Sequence, residues 1–291
     1  MTSGSDGKRR GAAGRPHARS RRPTAGESST TNNGGVRTAD ENDPQHTGVP
    51  PWRGGNRILA ALPDDERSTI RSELTEVVLE SGQILYEQRA PIDYVYFPDT
   101  AVLSLLNRMN NGAVVEVGTI GNEGGVDLRL FLGATVSVPE TMAQIPGTAQ
   151  RMTAAAFSRA ITELPRFREM VGRCVHAFMT QVSQTAACNR LHGIDERCAR
   201  WLLLTHDRVG RADSFPLTHQ FLSFMLGVRR AGVTEALGTL GQSGLISSKN
   251  GQITILDRPG LEAAACECYA VVRRYAGEPF GRETSGESAV R

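Results

Sequence analysis

The sequence of 291 residues has no long apolar run and no export signal. A membrane-spanning helix needs about 18 consecutive apolar residues, and no stretch supplies them. The N-terminus carries basic residues but lacks the apolar segment of a secretory signal. We therefore expect no transmembrane helix and a location in the cytoplasm.

Cysteine is scarce: there are five residues, and all lie in the C-terminal half. An odd number without the spacing of a disulfide framework indicates a reducing compartment. Only Cys266 and Cys268 have a spacing that suggests a metal motif. On one helix, however, two such thiols point about 200° apart. We therefore predict one buried thiol, one thiol near the surface, no metal site and no cofactor.

Catalytic motifs are also lacking. The six histidines are scattered, and no nucleophile elbow, phosphate loop or carboxylate pair is present. These absences argue against an enzyme.

The charged residues are unevenly distributed along the chain: residues 56–165 hold 8 basic and 14 acidic side chains, and residues 166–291 hold 16 basic and 12 acidic side chains. An acidic region beside a basic one fits a sensor attached to a polyanion binder.

The composition divides the chain into successive regions. Residues 1–55 contain almost no large apolar side chains, so we predict a disordered basic tail. This tail is either an additional nucleic-acid contact or dispensable. Seven short runs of strand composition then follow between turn signals, which predicts a β-sandwich or jelly roll over 56–165. A second disordered tail is predicted at 276–291.

A helical period replaces the strand pattern from Phe157 to about Leu191, with one interruption at Pro165. Apolar residues recur every three or four positions along this helix. A two-fold mate is the economical partner for such a face; packing on the chain's own sandwich is the alternative. The predicted dimer interface, on the helix 166–192, consists of Phe167, Met170, Val171, Cys174, Phe178 and Val182.

Two short helices and a hairpin are predicted within 193–275. Thr218 can cap the first helix, and Gly227 permits the turn between the two. The second helix, at about 229–241, exposes Arg229 and Arg230, whose guanidinium groups can read guanine in a major groove. An ordinary helical hairpin with a charged face is the alternative. Asn250-Gly251 supplies a hairpin turn, with Lys249 beside it for a phosphate contact. Together, the two helices and the hairpin predict a winged helix.

This order of parts, with Thr218-His219-Gln220 opening the winged helix and Gly227-Val228-Arg229-Arg230 within it, resembles the Crp/Fnr superfamily of transcription regulators over residues 56–275. The resemblance implies an α+β fold and a homodimer on an inverted repeat of double-stranded DNA. RNA polymerase and an unknown small-molecule effector are the further partners that it implies. The expected DNA-binding residues are Thr218, His219, Gln220, Arg229, Arg230, Thr234, Glu235, Lys249 and Asn250.

Within that list, the resemblance gives phosphate contacts to residues 218–220 and base reading to Arg230. Ala231 and Glu235 depart from the residues usual in the family, so a different operator is expected. A signalling module whose winged helix contacts proteins instead of DNA is the functional alternative.

The effector pocket departs further from the family pattern. Asp127 lies where cyclic-nucleotide binders grip the ribose, and Glu140-Thr141 lies where an Arg-Ser pair grips the phosphate. Two like charges about 4 Å apart repel by roughly 4 kcal/mol at an effective dielectric of about 20, so we predict no useful binding of cyclic AMP or cyclic GMP. The redox branch of the family uses N-terminal cysteines for an iron–sulfur cluster, and no cysteine precedes Cys174.

Overall fold

Two short helices lead into the first strand of the protein, for which a computed structural model describes residues 55–210 and 214–277. Helix α1 (Arg57–Ala60) is capped by Asn56, whose side chain accepts from the backbone N–H of Ile58 at 3.1 Å. Helix α2 (Asp64–Arg71) follows. The predicted disordered segments lie outside the described residues, except for 55, 276 and 277.

Seven strands form two antiparallel sheets, which confirms the predicted sandwich. The strands are β1 (Thr75–Leu79), β2 (Ile84–Tyr86), β3 (Tyr94–Pro98), β4 (Val102–Arg108), β5 (Val114–Ile120), β6 (Glu140–Ile145) and β7 (Gly147–Thr153). One sheet has the order β1-β7-β3 and the other β2-β6-β4-β5. A 3-10 helix (Leu128–Leu132), which the sequence reading missed, lies between β5 and β6.

The predicted long helix is divided at Pro165 into α3 (Ala154–Glu163) and α4 (Pro165–Leu191). The apolar stripe of α4 packs on the sandwich of its own chain. Phe167, Met170 and Val171 are fully buried there, and Cys174 is buried with them. The ring of Phe178 lies so close to Gly118 of β5 that a Cβ there would be 2.6 Å from the ring. The alternative packing is therefore observed for Phe167, Met170, Val171 and Cys174, whose assignment to a dimer interface was wrong because a single chain already buries them. Phe178 and Val182 are half-buried, and their place in a dimer interface stays a prediction.

The winged helix consists of α5 (Ile194–Arg208), α6 (His219–Leu226) and α7 (Arg230–Gln242), with a sheet of β8 (Ser214–Pro216), β9 (Ile246–Lys249) and β10 (Gln252–Ile255). The strand order is β8-β10-β9. The predicted turn at Gly227 has φ +62°, and the hairpin turn has positive φ at both Asn250 and Gly251. The predicted winged helix is confirmed.

The winged helix and the sandwich share one hydrophobic core. Val102, Leu106 and Ile145 of the sandwich are buried in the same cluster as Trp201 of α5 and Leu222 of α6. Polar contacts cross the same boundary: the amide of Gln144 donates to the hydroxyl of Thr205 at 3.1 Å. The two parts are thus joined through buried side chains.

Two further helices, α8 (Arg258–Ala264) and α9 (Cys268–Gly277), follow the wing. Helix α9 packs along α4. Cys266 precedes α9 and Cys268 begins it, and both thiols are buried. The prediction of one thiol near the surface was wrong, because the two cysteines do not lie on one helix. Among the described residues, no helix is long and apolar enough to span a membrane.

Candidate nucleic-acid interface and effector cavity

The capping residue of α6 organises one edge of the helix–turn–helix. The hydroxyl of Thr218 accepts from the backbone N–H of Phe221 at 3.1 Å, which satisfies a donor that the first turn leaves unpaired. Leu222 and Met225 are buried, while Gln220 is exposed. Because its apolar face is buried, α6 exposes its first turn, including Gln220, to solvent.

His219 connects three elements on this edge. Its Nδ1 lies 3.0 Å from the hydroxyl of Thr234 on α7, and its Nε2 lies 3.4 Å from the hydroxyl of Ser248 on β9. The Thr234 hydroxyl also donates to the carbonyl of Arg230 at 3.1 Å. His219 thus sets the position of the wing relative to α7, and Ser248 is a participant that the sequence reading missed.

Helix α7 presents its N-terminus to solvent. Arg229 is the N-cap and Arg230 the first helical residue, and both are exposed, as are Thr234 and Glu235. Val233, Leu237 and Leu240 are buried on the opposite side. Lys249 and Asn250 are exposed at the tip of the wing. The structure therefore brings all nine predicted DNA-binding residues to α6, the first half of α7 and the wing.

A cavity of about 460 Å³ lies between the sandwich, α4 and α9. Its wall is mostly apolar and includes Leu105, Ile120, Val175, Phe178, Val182 and Val272. Leu132 and Met179 also line it, and they are 60% and 61% exposed, so they lie at its rim. The contribution of α9 to this wall was not predicted, because it depends on the packing of α9 against α4, two segments far apart in the sequence.

The three predicted effector residues do not share this cavity. Asp127 lines it, is buried, and pairs with Arg129 and with the Ser137 hydroxyl, which donates at 3.2 Å. Burial raises the pKa of Asp127, and the neighbouring Arg129 lowers it by a smaller amount. Glu140 and Thr141 lie on β6 outside the cavity lining.

Glu140 has a cation of its own. Both carboxylate oxygens accept from the guanidinium of Arg108, at 3.0 and 3.1 Å. The charge that was expected to repel a phosphate is thus paired within the sheet. Glu140 lies opposite Leu106 in the ladder of β4 and β6, and Arg108 lies two residues farther along β4, on the same face as Leu106. The hydroxyl of Thr141 is buried without a hydrogen-bond partner.

Comparison with known proteins identifies the winged helix and the fold. Residues 196–264 match the Crp-like helix-turn-helix domain. No curated protein matches the sequence. Many solved structures match the fold, among them FixK2 from Bradyrhizobium japonicum, at 16% identity and a TM-score of 0.57, covering 66% of this chain and 98% of that one.

Two further structures agree with this assignment. A transcriptional regulator of the Crp/Fnr family from Eubacterium rectale is similar at 16% identity and a TM-score of 0.55, over 72% of this chain and 97% of that one. The c-di-GMP responsive regulator CLP of Xanthomonas campestris is similar at 12% identity and a TM-score of 0.56, over 66% and 99%. The chain therefore carries a Crp-like helix-turn-helix domain within the fold that is seen in Crp/Fnr transcription regulators.

Proposed function

We propose that this protein is a transcription regulator that binds a specific site on double-stranded DNA. The observation that carries the proposal is the exposed pair of arginines at the N-terminus of α7, flanked by the exposed wing tip. A helix of this kind fits the major groove, where an arginine donates two hydrogen bonds to guanine, while the cap of α6 and the wing contact phosphates.

The described surface matches that role in charge as well as shape. Arg229, Arg230 and Lys249 are exposed on one side of the winged helix, and Glu235, one turn along α7, is the acidic group among the proposed contacts. An acidic side chain in the groove accepts from the amino group of cytosine. The operator we propose therefore contains a guanine under Arg230 and differs from sites read by family members with other residues at 231 and 235.

We further propose a homodimer on an inverted repeat. The buried stripe of α4 is not available for the contact, so we assign it to the exposed side, where Met179 and Leu132 form an apolar rim around the cavity. Two-fold symmetry would place the two α7 helices about 34 Å apart, one turn of DNA. RNA polymerase remains a proposed partner of the DNA-bound dimer.

The cavity suits a neutral, mostly apolar effector. The nearby guanidinium groups of Arg129 and Arg208 already form ion pairs. Arg129 pairs with Asp127, and Arg208 pairs with Glu123 at 2.7 Å. The second carboxylate oxygen of Asp127, Oδ2, is buried without a hydrogen-bond partner. An ionised carboxylate has no hydrogen-bond donor to offer a phosphate. The ligand named for the Xanthomonas protein, c-di-GMP, carries two phosphates, and we therefore do not assign it to this cavity.

The test is selection of random double-stranded DNA by the purified full-length protein. We expect an enriched inverted repeat, and binding that weakens steeply with salt because phosphate contacts release counterions. Binding that is absent, or that shows no enriched sequence, would favour the signalling module, whose winged helix contacts other proteins. In that case, a map of genomic binding sites would show no shared sequence motif.

A further inference from the structure

Four potential metal ligands meet where the end of α4 faces the start of α9. Cys188 and His192 come from the last turn of α4 and its C-cap, four residues apart and therefore on one side of the helix. Cys266 comes from the turn between α8 and α9, and Cys268 is the first residue of α9. The Sγ atoms and the imidazole nitrogen all lie within 4.8 Å of one another.

Two of the six distances between ligand atoms match the edges of a tetrahedron around one ion. Zinc binds thiolate at about 2.3 Å and imidazole at about 2.0–2.1 Å, so neighbouring ligand atoms of a tetrahedral site are roughly 3.5–3.8 Å apart. The Sγ atoms of Cys188 and Cys266 are 3.5 Å apart, and Cys268 Sγ is 3.5 Å from His192 Nδ1. An iron–sulfur cluster divides its ligands among several irons and needs them farther apart.

The groups around the ligands are those that a metal site requires. The other imidazole nitrogen of His192, Nε2, lies 3.2 Å from the carboxylate of Glu267, an arrangement that orients a ligating histidine and strengthens it as a donor. The amide of Gln184 donates to Cys268 Sγ at 3.1 Å. The contact with Glu267 uses Nε2 and leaves Nδ1, the nitrogen that lies 3.5 Å from Cys268 Sγ, for a metal ion.

Burial and charge favour a closed structural site. All three thiols are buried, and they form a small cluster of their own. Three thiolates and one neutral imidazole around Zn²⁺ carry one net negative charge. The guanidinium of Arg200, itself buried, reaches the hydroxyl of Thr185, one turn before Cys188 on α4.

We propose that Cys188, His192, Cys266 and Cys268 bind one zinc ion that fastens α9 to α4. The consequence reaches the cavity, because Val272 and Ala276 of α9 form part of its wall. The zinc would thus be a structural element that holds one side of the effector cavity in place. The proposal does not depend on DNA binding.

The first test measures metal in the full-length protein, purified under reducing conditions from zinc-containing medium. We expect close to one zinc per chain by elemental analysis, in line with a four-ligand structural site. Exchange with Co²⁺ should give the intense visible absorption of a tetrahedral ion and a thiolate charge-transfer band. A protein with neither zinc nor that spectrum, an iron–sulfide chromophore, or a disulfide between Cys188 and Cys266 found by mass spectrometry under these conditions would overturn the proposal.

The second test uses matched variants. Cys266→Ser and Cys188→Ser should lose at least about nine-tenths of the bound zinc, since a hydroxyl is a poor zinc ligand. Cys198→Ser, at a buried cysteine outside the cluster, should keep it. If a cluster variant fails to fold, His192→Cys preserves four ligands and should bind Co²⁺ with a shifted charge-transfer band. An unchanged Co²⁺ spectrum in His192→Cys would contradict the assignment of His192 as a ligand.

Discussion

The indole N–H of Trp201 on α5 donates to the carboxylate of Glu116 on β5 at 3.0 Å, inside the core that the winged helix and the sandwich share. The same carboxylate accepts from Thr119 at 2.9 Å and from Ser104 at 2.7 Å. Desolvation raises the pKa of this fully buried carboxyl above its ordinary value of 4.5, and the three hydrogen bonds oppose the shift. The boundary between the two parts therefore contains a titratable group.

Glu116→Gln should flatten part of the pH dependence of stability. A carboxyl whose pKa is raised by folding stabilises the folded state most below its ordinary pKa, and this contribution is lost as pH rises through the folded pKa. Between pH 4.5 and neutrality, the free energy of unfolding of the wild-type protein should therefore fall relative to that of the Gln variant. Urea unfolding at a series of pH values measures this difference, and parallel curves would contradict the prediction.

Glu116→Ala should be far more damaging than Glu116→Gln. It leaves the buried donors of Trp201 and Thr119 without the carboxylate acceptor, at a cost of about 1–3 kcal/mol for each group that finds no substitute. The Ser104 hydroxyl keeps an acceptor, the amide oxygen of Gln144 at 2.8 Å. The control is Glu76→Ala, at an exposed carboxylate on β1, which should change stability by less than about 0.5 kcal/mol.

Arg230→Ala should weaken binding to the selected operator by about 1–3 kcal/mol, because a contact with a base is lost. The weak binding to random DNA should stay nearly unchanged, because the contacts with phosphates remain. Electrophoretic mobility shifts on both DNAs measure the two affinities. Arg168→Ala, at an exposed arginine on α4, is the matched control. Equal losses on both DNAs would make Arg230 a phosphate contact.

Met179→Glu should convert a dimer into a folded monomer, because it places a charge on the proposed contact at the rim of the cavity. Light scattering gives the mass, and affinity for the two-half-site operator should fall by about a hundredfold with the loss of avidity. Val138→Glu, at a residue 57% exposed on the sandwich, is the control. A wild-type monomer at micromolar concentration would refute the dimer.

The cavity should bind neutral apolar molecules and not cyclic AMP or cyclic GMP. Isothermal titration with both nucleotides and fluorescence of the neutral dye Nile red provide the measurements. Ala276→Phe should reduce dye binding by filling the cavity, whereas Ala187→Phe, on the exposed side of α4, should not. Low-micromolar binding of either nucleotide would require Arg129 to leave Asp127.

Two glycines of the helix–turn–helix should respond to alanine in opposite directions. Gly227→Ala should lower stability by about 1–2 kcal/mol, because φ is +62° and a Cβ would lie 3.1 Å from Val115. Gly238→Ala, inside α7 with open space around it, should raise stability by about 0.5–1 kcal/mol. Thermal unfolding of the two variants measures both effects, and a stabilised Gly227→Ala would contradict the turn geometry.

Local signals predicted most of the elements. Short runs of strand composition between turn signals located all seven strands of the sandwich, and Thr218, Gly227 and Asn250-Gly251 marked the cap and turns of the winged helix. These signals act within a few residues, so no knowledge of distant contacts was needed.

What the sequence reading missed depends on contacts between distant segments. The spacing along α4 predicts an apolar face but not what covers it, and the sandwich of the same chain does so. Cys188 and His192 lie more than 70 residues from Cys266, so their meeting depends on how α9 docks. The prediction for Cys266 and Cys268 failed because α8 ends at Ala264, before the first of them.

The core shared by Val102, Leu106 and Ile145 with the winged helix has a consequence for protein engineering and for evolution. A winged helix transplanted from another regulator would meet these side chains with a surface of different shape and leave voids there. Exchange of DNA-reading parts among regulators of this kind therefore requires matched changes on β4 and β6. The sandwich and the winged helix are therefore constrained to change together at this boundary.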